Sequence, residues 1–256
     1  MNRYEFLKGL HRVYRPRTYL EIGVNDGRSL ALSRTRTIAV DPAFKVTAPL
    51  HCELELVKAT SDDFFARPRP MRSLRRGVVD LAFIDGMHLF EYALRDVFHT
   101  ERHTRWTSVM VLDDMLPRSV DEAARDRHTD AWTGDVFKVA ATLAEYRPDL
   151  LCVAVDTAPT GQLVIFGADS RSTVLPDAYD RIHARYVVPD PQQVPEDVLT
   201  RRHAVDPEAF LAADFWEQLT HARDRVFGRG GGFEQLRPAI EAAVRDATRT
   251  PVAVAG

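Results

Sequence analysis

The stretch from Val78 to Asp114 constrains this chain more than any other. It reads V-V-D-L-A-F-I-D-G-M-H, then an amphipathic run, then S-V-M-V-L-D-D. Val79–Ile84 and Ser108–Leu112 are short, apolar and β-prone, which suits strands buried on both faces of a parallel sheet. Between them Phe90, Ala93, Leu94 and Val97 recur at helical spacing, so Met87 to about Thr100 is expected to form a crossover helix. Each apolar run ends on acid: Asp85 after the first, Asp113 and Asp114 after the second. Neighbouring parallel strands open their carboxyl ends onto one crevice, where ligands bind. Three carboxylates and His88 therefore converge at one rim. Such an acid cluster is costly unless paired, and a hard divalent cation with oxygen ligands is the usual remedy.

The chain on either side supplies the rest of an α/β unit. Tyr4 to Tyr14 carries Phe6, Leu7, Leu10 and Val13 on one helical face. Thr18–Val24, Thr37–Val40 and Leu54–Lys58 are further strands. A helix is expected from near Ser29, and a short one around Phe64 and Phe65. Pro117–Thr133 is polar and too long for an idle connection, which suits a lid or substrate wall. Gly134-Asp135 is expected to start a helix with Asp135 as its N-cap. Leu150–Val155 and Leu163–Phe166 flank the turn signals Pro159 and Gly161 and are expected to pair as an antiparallel hairpin.

From about Ser170 the character changes. Pro176, Pro189, Pro191 and Pro195 punctuate what reads as a linker. Asp206-Pro207 then opens a helix with Leu211, Phe215, Leu219, Ala222 and Val226 on one face. Gly228–Gly232 breaks it, a last helix runs from Pro238 to Ala247, and Thr250–Gly256 reads as frayed. The division expected is residues 1–169 as the ligand-binding domain and 170–256 as a helical extension serving as lid or dimerisation element. Its apolar face points to a homodimer.

Composition excludes several classes. The 34 basic and 37 acidic residues leave a net charge of −3, so no global field attracts nucleic acid. Arg67–Gly77 is basic but lacks interleaved aromatics and reads as a solvated connector. Cys52 and Cys152 have no metal-knuckle or disulfide-framework spacing. Met1–Arg17 lacks the apolar core of a signal peptide, and no run approaches the ~20 apolar residues of a membrane span. The expectation is a cytoplasmic protein with no membrane and no nucleic-acid partner.

The first strand–turn–helix, L-E-I-G-V-N-D-G-R-S, decides between nucleotides. A dinucleotide site wants G-x-G-x-x-G around a pyrophosphate. Here Gly23 and Gly27 stand in E-x-G-x-x-x-G spacing after Glu21, which would repel a pyrophosphate and accept from an ammonium group. Asp41, roughly twenty residues beyond the loop, is placed to bind a ribose diol. An amino group and a ribose without phosphate point to S-adenosylmethionine rather than to a nicotinamide cofactor.

The order of strand, E-x-G-x-x-x-G, acid after the second strand, F-I-D-G-x-H and V-L-D-D resembles class I S-adenosylmethionine-dependent methyltransferases. More narrowly it is similar to the metal-dependent O-methyltransferases, including the catechol enzyme and actinobacterial sugar and macrolide-sugar enzymes. The resemblance covers roughly Tyr19–Ala168. It implies a Rossmann-like α/β fold, with a mostly parallel seven-stranded sheet closed by an antiparallel C-terminal hairpin and followed by the helical extension. It also implies that Gly23, Asn25, Gly27 and Ser29 line the methionine moiety with Glu21 supporting the loop. By the same resemblance Asp41 holds the ribose, and Ser61 and Asp62 contact the adenine. Asp85, Asp113 and Asp114 match the metal ligands. The catechol branch has Asn where Asp114 stands and a catalytic lysine where His88 stands, so the sugar-modifying branch agrees better.

The chemistry of such a site is economical. The methyl donor needs little activation, whereas a sugar hydroxyl stays protonated near neutral pH. A cation held by Asp85, Asp113 and Asp114 lowers the hydroxyl's pKa as a Lewis acid and orients it. Oxygen ligands favour Mg²⁺ or Mn²⁺. His88, read as one turn into the crossover helix and of normal pKa, is the expected general base. Trp132, Asp135 and Tyr92 are candidates for the acceptor wall. The expected acceptor is a glycoside or oligosaccharide, a mannoside of the mycobacterial methylmannose polysaccharide type or a natural-product deoxysugar among them. The rivals are methylation of a phenolic small molecule and a non-catalytic adenosine-binding regulator.

Overall fold

The structure, a computed structural model, describes residues 1–225 and 232–248. Seven strands form one sheet: β1 (Thr18–Ile22), β2 (Arg36–Val40), β3 (Leu54–Val57), β4 (Leu81–Ile84), β5 (Val109–Leu112), β6 (Leu151–Val155) and β7 (Gln162–Phe166). Their order is β3-β2-β1-β4-β5-β7-β6. The first five are mutually parallel, and β7 runs antiparallel to both β5 and β6. β1 and β4 lie at the centre, each fully buried, and the order reverses between them. The crevice at that switch point is where such a sheet binds its ligand.

Alternation along the strands builds two cores. Leu20, Ile22, Ala82, Ile84, Met110 and Leu112 face one side. There they meet α2 (Ser61–Phe65), α3 (Phe90–Glu101), α4 (Lys138–Tyr146) and α5 (Val174–Tyr186). Tyr19, Leu81, Phe83, Val109 and Val111 face the other. That side is covered by α1 (Arg3–Tyr14), α7 (Pro207–Leu211), α8 (Phe215–Asp224) and α9 (Phe233–Ala247). Between the two groups lies the short α6 (Glu196–Leu199).

Several expectations are corrected. No full helix follows Ser29; a single 3-10 turn, Leu30–Leu32, stands there. The segment read as a linker after Ser170 contains α5, because Pro176 lies in the helix's first turn, where a missing N–H costs nothing. The helix read across Asp206 to Val226 is broken in two at Ala212–Asp214. The last helix begins at Phe233 and carries Pro238 inside its first turns. Val226, Gly228–Gly231 and Thr250–Gly256 lie outside the described residues.

The C-terminal third packs on the α/β part. Leu211, Phe215 and Leu219 are buried, packed with Phe166, Phe210 and Trp216 against α1 and the sheet. The helices after residue 169 pack into both cores, and the apolar face that suggested a homodimer is covered by this chain itself. No helix of the described residues is long and apolar enough to cross a membrane.

Candidate active site

Three loops at the carboxyl end of the sheet meet over β1, β4 and β5. Gly23, just after β1, has φ +86°, and a Cβ there would lie 1.8 Å from the backbone carbonyl oxygen of Asp85. The first loop therefore rests directly on the acid-bearing loop, an approach only glycine permits. Beneath it Glu21 is wholly buried, accepting from Tyr19 Oη at 2.7 Å and from Ser29 Oγ at 2.9 Å. Each carboxylate oxygen thus accepts from one hydroxyl, and Glu21 supports the loop from within the sheet. Ser29 is spent on the same contact. Asp41 Oδ2 accepts from the amides of Val24 and Asn25, both at 2.9 Å, and so fixes the path of the loop. Asn25 itself is left-handed at φ 48°, and Gly27 at φ 82°.

The acids separate according to strand alternation. Val111 faces the α1 side and Leu112 the α3 side, so Asp113 returns to α1. There its Oδ2 accepts from Arg3 Nη1 at 2.6 Å, with 1% of the side chain exposed. Asp114, at φ 62°, leaves the strand and turns to the other side. Its Oδ2 lies 3.3 Å from His88 Nε2, and its Oδ1 accepts from Thr160 Oγ1. Asp85 stands between the two, with Oδ1 3.3 Å from His88 Nε2 and Oδ2 3.6 Å from Arg3 Nη1. The cluster brought together is therefore Asp85, His88 and Asp114, whose ligand atoms all lie within 4.8 Å of one another. Asp113 is tied to Asp85 through Arg3 Nη1.

His88 lies in the loop before α3 and not inside the helix, which starts at Phe90. Its ring is fixed from behind. Nδ1 meets the Trp132 carbonyl at 2.8 Å, and the Trp132 ring stacks on it at 5.2 Å and 23°. A carbonyl only accepts, so Nδ1 carries hydrogen and Nε2 faces the two carboxylates. Burial pulls the imidazole's pKa down. The hydrogen bond to Asp85 and the charges of Asp114 and Asp85 outweigh it and raise the pKa to about 9. The expectation of a histidine with ordinary pKa is corrected: without a cation among the acids, His88 holds its proton at neutral pH.

The other predicted contacts divide. Trp132 stands at the rim beside His88. Asp135 does not, being wholly buried and saturated by the Phe90 amide at 2.8 Å, Arg125 at 2.8 Å and Lys138 at 2.9 Å. It joins α3 to the chain before α4, whose helix begins only at Lys138. Tyr92 lies under Arg95, 4.4 Å from ring to guanidinium carbon, and Arg95 in turn holds Asp62 in a two-point ion pair at 2.9 and 2.7 Å. Ser61 hydrogen-bonds the buried carboxyl of Asp96, whose pKa burial pushes up to about 7. Neither Asp96 nor Arg3 was among the residues expected from sequence. An arginine in an amphipathic N-terminal helix gives no local sign that it reaches a strand end 110 residues away.

Glu21 makes the site's stability depend on pH. Burial raises its pKa from 4.5 to about 8, partly offset by the hydrogen bonds from Tyr19 and Ser29. The folded state thus holds this proton more tightly than the unfolded chain, so the contribution is complete below pH 4.5 and is lost as pH rises through about 8. Glu21→Gln keeps the hydrogen-bonding shape without the charge. Between about pH 6 and about pH 9 the wild-type melting temperature is expected to fall more steeply than that of Glu21→Gln. Parallel slopes in a thermal-denaturation series would show that Glu21 does not titrate there.

A model of a methyltransferase domain matches residues 20–115, from β1 to just past Asp114. No curated protein matches the chain. Among solved structures, it resembles the O-methyltransferase TomG of Streptomyces achromogenes, involved in tomaymycin synthesis, in complex with SAM. That likeness has 19% identity and a TM-score of 0.48, covering 65% of this chain and 79% of the other. An O-methyltransferase of Bacillus cereus in complex with SAH has 15% identity and a TM-score of 0.47, covering 65% and 80%. An SAH-bound methyltransferase of Podospora anserina has 16% identity and a TM-score of 0.47, covering 65% and 78%. Likenesses this distant leave the weight on the chain's own sheet order and on the domain match. Residues 20–115 match that domain, and they span the centre of the sheet, from β1 through β5.

Proposed function

We propose that this protein is a divalent-metal-dependent S-adenosylmethionine O-methyltransferase acting on a hydroxyl of a sugar, in a glycoside or oligosaccharide. The observation that carries the reading is the convergence of Asp85, His88 and Asp114 on one rim, in backbone contact with the glycine loop after β1. The S-adenosylmethionine sulfonium supplies an activated methyl group. The loop of Gly23, Asn25 and Gly27, fixed by Asp41 and Glu21, would seat it beside the acids. Asp85 and Asp114 fit a divalent cation, which would supply Lewis acidity at the acceptor oxygen. Asp113 Oδ1, buried and without a hydrogen-bond partner among the described residues, is a further donor the site leaves unspent. His88 Nε2 takes the hydroxyl proton, with Trp132 holding the ring in place. Trp132 also offers an aromatic wall at the rim on which an apolar sugar face stacks.

The sugar reading rests on need. A sugar hydroxyl is far less acidic than a phenol, so a Lewis acid and a positioned base on the same oxygen are worth most there. Methyl transfer from labelled S-adenosylmethionine, screened over glycosides and phenols, tests it. The expected result is transfer to a glycoside, lost in EDTA and restored by Mg²⁺ or Mn²⁺. Full turnover after exhaustive chelation removes the metal. Transfer confined to phenols removes the sugar, and cofactor binding without turnover on any acceptor leaves a regulator.

A further inference from the structure

We infer that Arg3 is an internal counter-cation that competes with a divalent ion for Asp113 and Asp85, so that metal loading requires the guanidinium to withdraw. This rests on the metal-dependent reading above. Arg3 Nη1 lies 2.6 Å from Asp113 Oδ2 and 3.6 Å from Asp85 Oδ2, so one nitrogen faces both carboxylates. An ion shared by Asp85, Asp113 and Asp114 would lie against the charge of that guanidinium even if it took Asp113 through the unpartnered Oδ1. A guanidinium does not deprotonate in proteins, so its charge cannot be shed to make room. It has to move.

The element that delivers Arg3 is firmly held. Asn2 caps α1, accepting from the amides of Tyr4 and Glu5, and Glu5 reaches back to the Asn2 amide. The Arg3 amide donates to the Ala158 carbonyl at 3.0 Å, and the Ala158 amide to the Met1 carbonyl at 3.0 Å. The backbone of Arg3 is thus stitched to the β6–β7 turn that also carries Thr160, the partner of Asp114. Only the side chain is free to choose. Its guanidinium also lies over the Tyr4 ring at 5.0 Å, and Arg28 of the cofactor loop lies over the same ring at 5.0 Å. Tyr4 therefore touches the guanidinium while Arg3 faces the acids, with Arg3 Nη2 donating to Tyr4 Oη at 3.2 Å.

Removing a fixed positive charge a few ångströms from a divalent ion strengthens binding by about tenfold or more even at the high effective dielectric of a partly open site. The test is Mn²⁺ affinity, by titration calorimetry and by electron paramagnetic resonance of the free ion, for wild type, Arg3→Met and Arg3→Lys. Arg3→Met is expected to bind Mn²⁺ about tenfold more tightly or better, with Arg3→Lys close to wild type. The gain is expected to shrink in an Asp113→Asn background, where the contested carboxylate is gone. Arg3→Gln serves if Arg3→Met melts early. Equal or weaker binding by both neutral variants overturns the role of Arg3 and leaves the metal in place. Absence of Mn²⁺ binding in every variant overturns the metal reading and this inference with it.

Discussion

Gly23→Ala is expected to abolish S-adenosylmethionine binding and to lower stability by about 3 kcal/mol or more, the scale of forced backbone strain combined with a steric clash. At φ +86° an alanine is strained before any neighbour is considered. Its Cβ would then stand 1.8 Å from the Asp85 carbonyl oxygen and 2.5 Å from the carbonyl carbon. Both are backbone atoms and cannot rotate away. The loops after β1 and β4 must separate, and they are the two proposed to frame the cofactor and the acid cluster. Gly232→Ala is the control, since nothing lies within 4 Å of its Cβ position. Calorimetric cofactor affinity and chemical denaturation of both variants decide the matter. A Gly23→Ala protein that binds the cofactor normally would place the cofactor elsewhere.

His88→Ala is expected to lower kcat by roughly 10²–10⁴-fold, the usual worth of a positioned base, with cofactor affinity nearly unchanged. The imidazole has two chemically distinct uses, and one comparison separates them. As a base its loss leaves Mn²⁺ affinity close to wild type. As a ligand through Nε2 its loss weakens Mn²⁺ binding along with kcat. The pH profile adds a sign. With its pKa raised to about 9 by the flanking carboxylates, His88 is protonated at neutral pH and becomes a base only as pH rises. A cation held by Asp85 and Asp114 would offset the charge that holds the proton, so the rising limb of kcat is expected to move to lower pH as metal is added. A limb that ignores both the metal and the His88 substitution would assign proton removal to solvent.

The sheet and its rim were legible in the sequence because most strands are short apolar runs and β1, β2, β4 and β5 run directly into glycine or acid. The assignment within the acid pair was not. Asp113 and Asp114 are adjacent, and strand alternation sends adjacent side chains to opposite faces. Which of them reaches His88 depends on the left-handed turn at Asp114, which its identity does not announce. Asp135 has the composition of a cap and does cap a helix. It caps α3 instead of the helix that follows it, a choice made by tertiary packing. The C-terminal apolar stripe was read correctly as a stripe. Its partner, α1 on the same sheet face, lies some 200 residues away, beyond the reach of any local pattern.

The long polar segment before α4 is closed onto α3 by Gly134, where a Cβ would stand 1.6 Å from the His88 carbonyl oxygen. The Trp132 carbonyl meets the His88 ring, Asp135 receives the Phe90 amide, and Arg125 bridges Glu91 and Asp135. These ties leave no free hinge between the two segments. The polar segment cannot swing aside as a rigid flap without releasing the histidine at the same moment. Opening there is therefore local unfolding of a single cooperative unit built from two distant pieces of chain. A protein caught with this segment open has, by the same event, lost the orientation of the His88 ring.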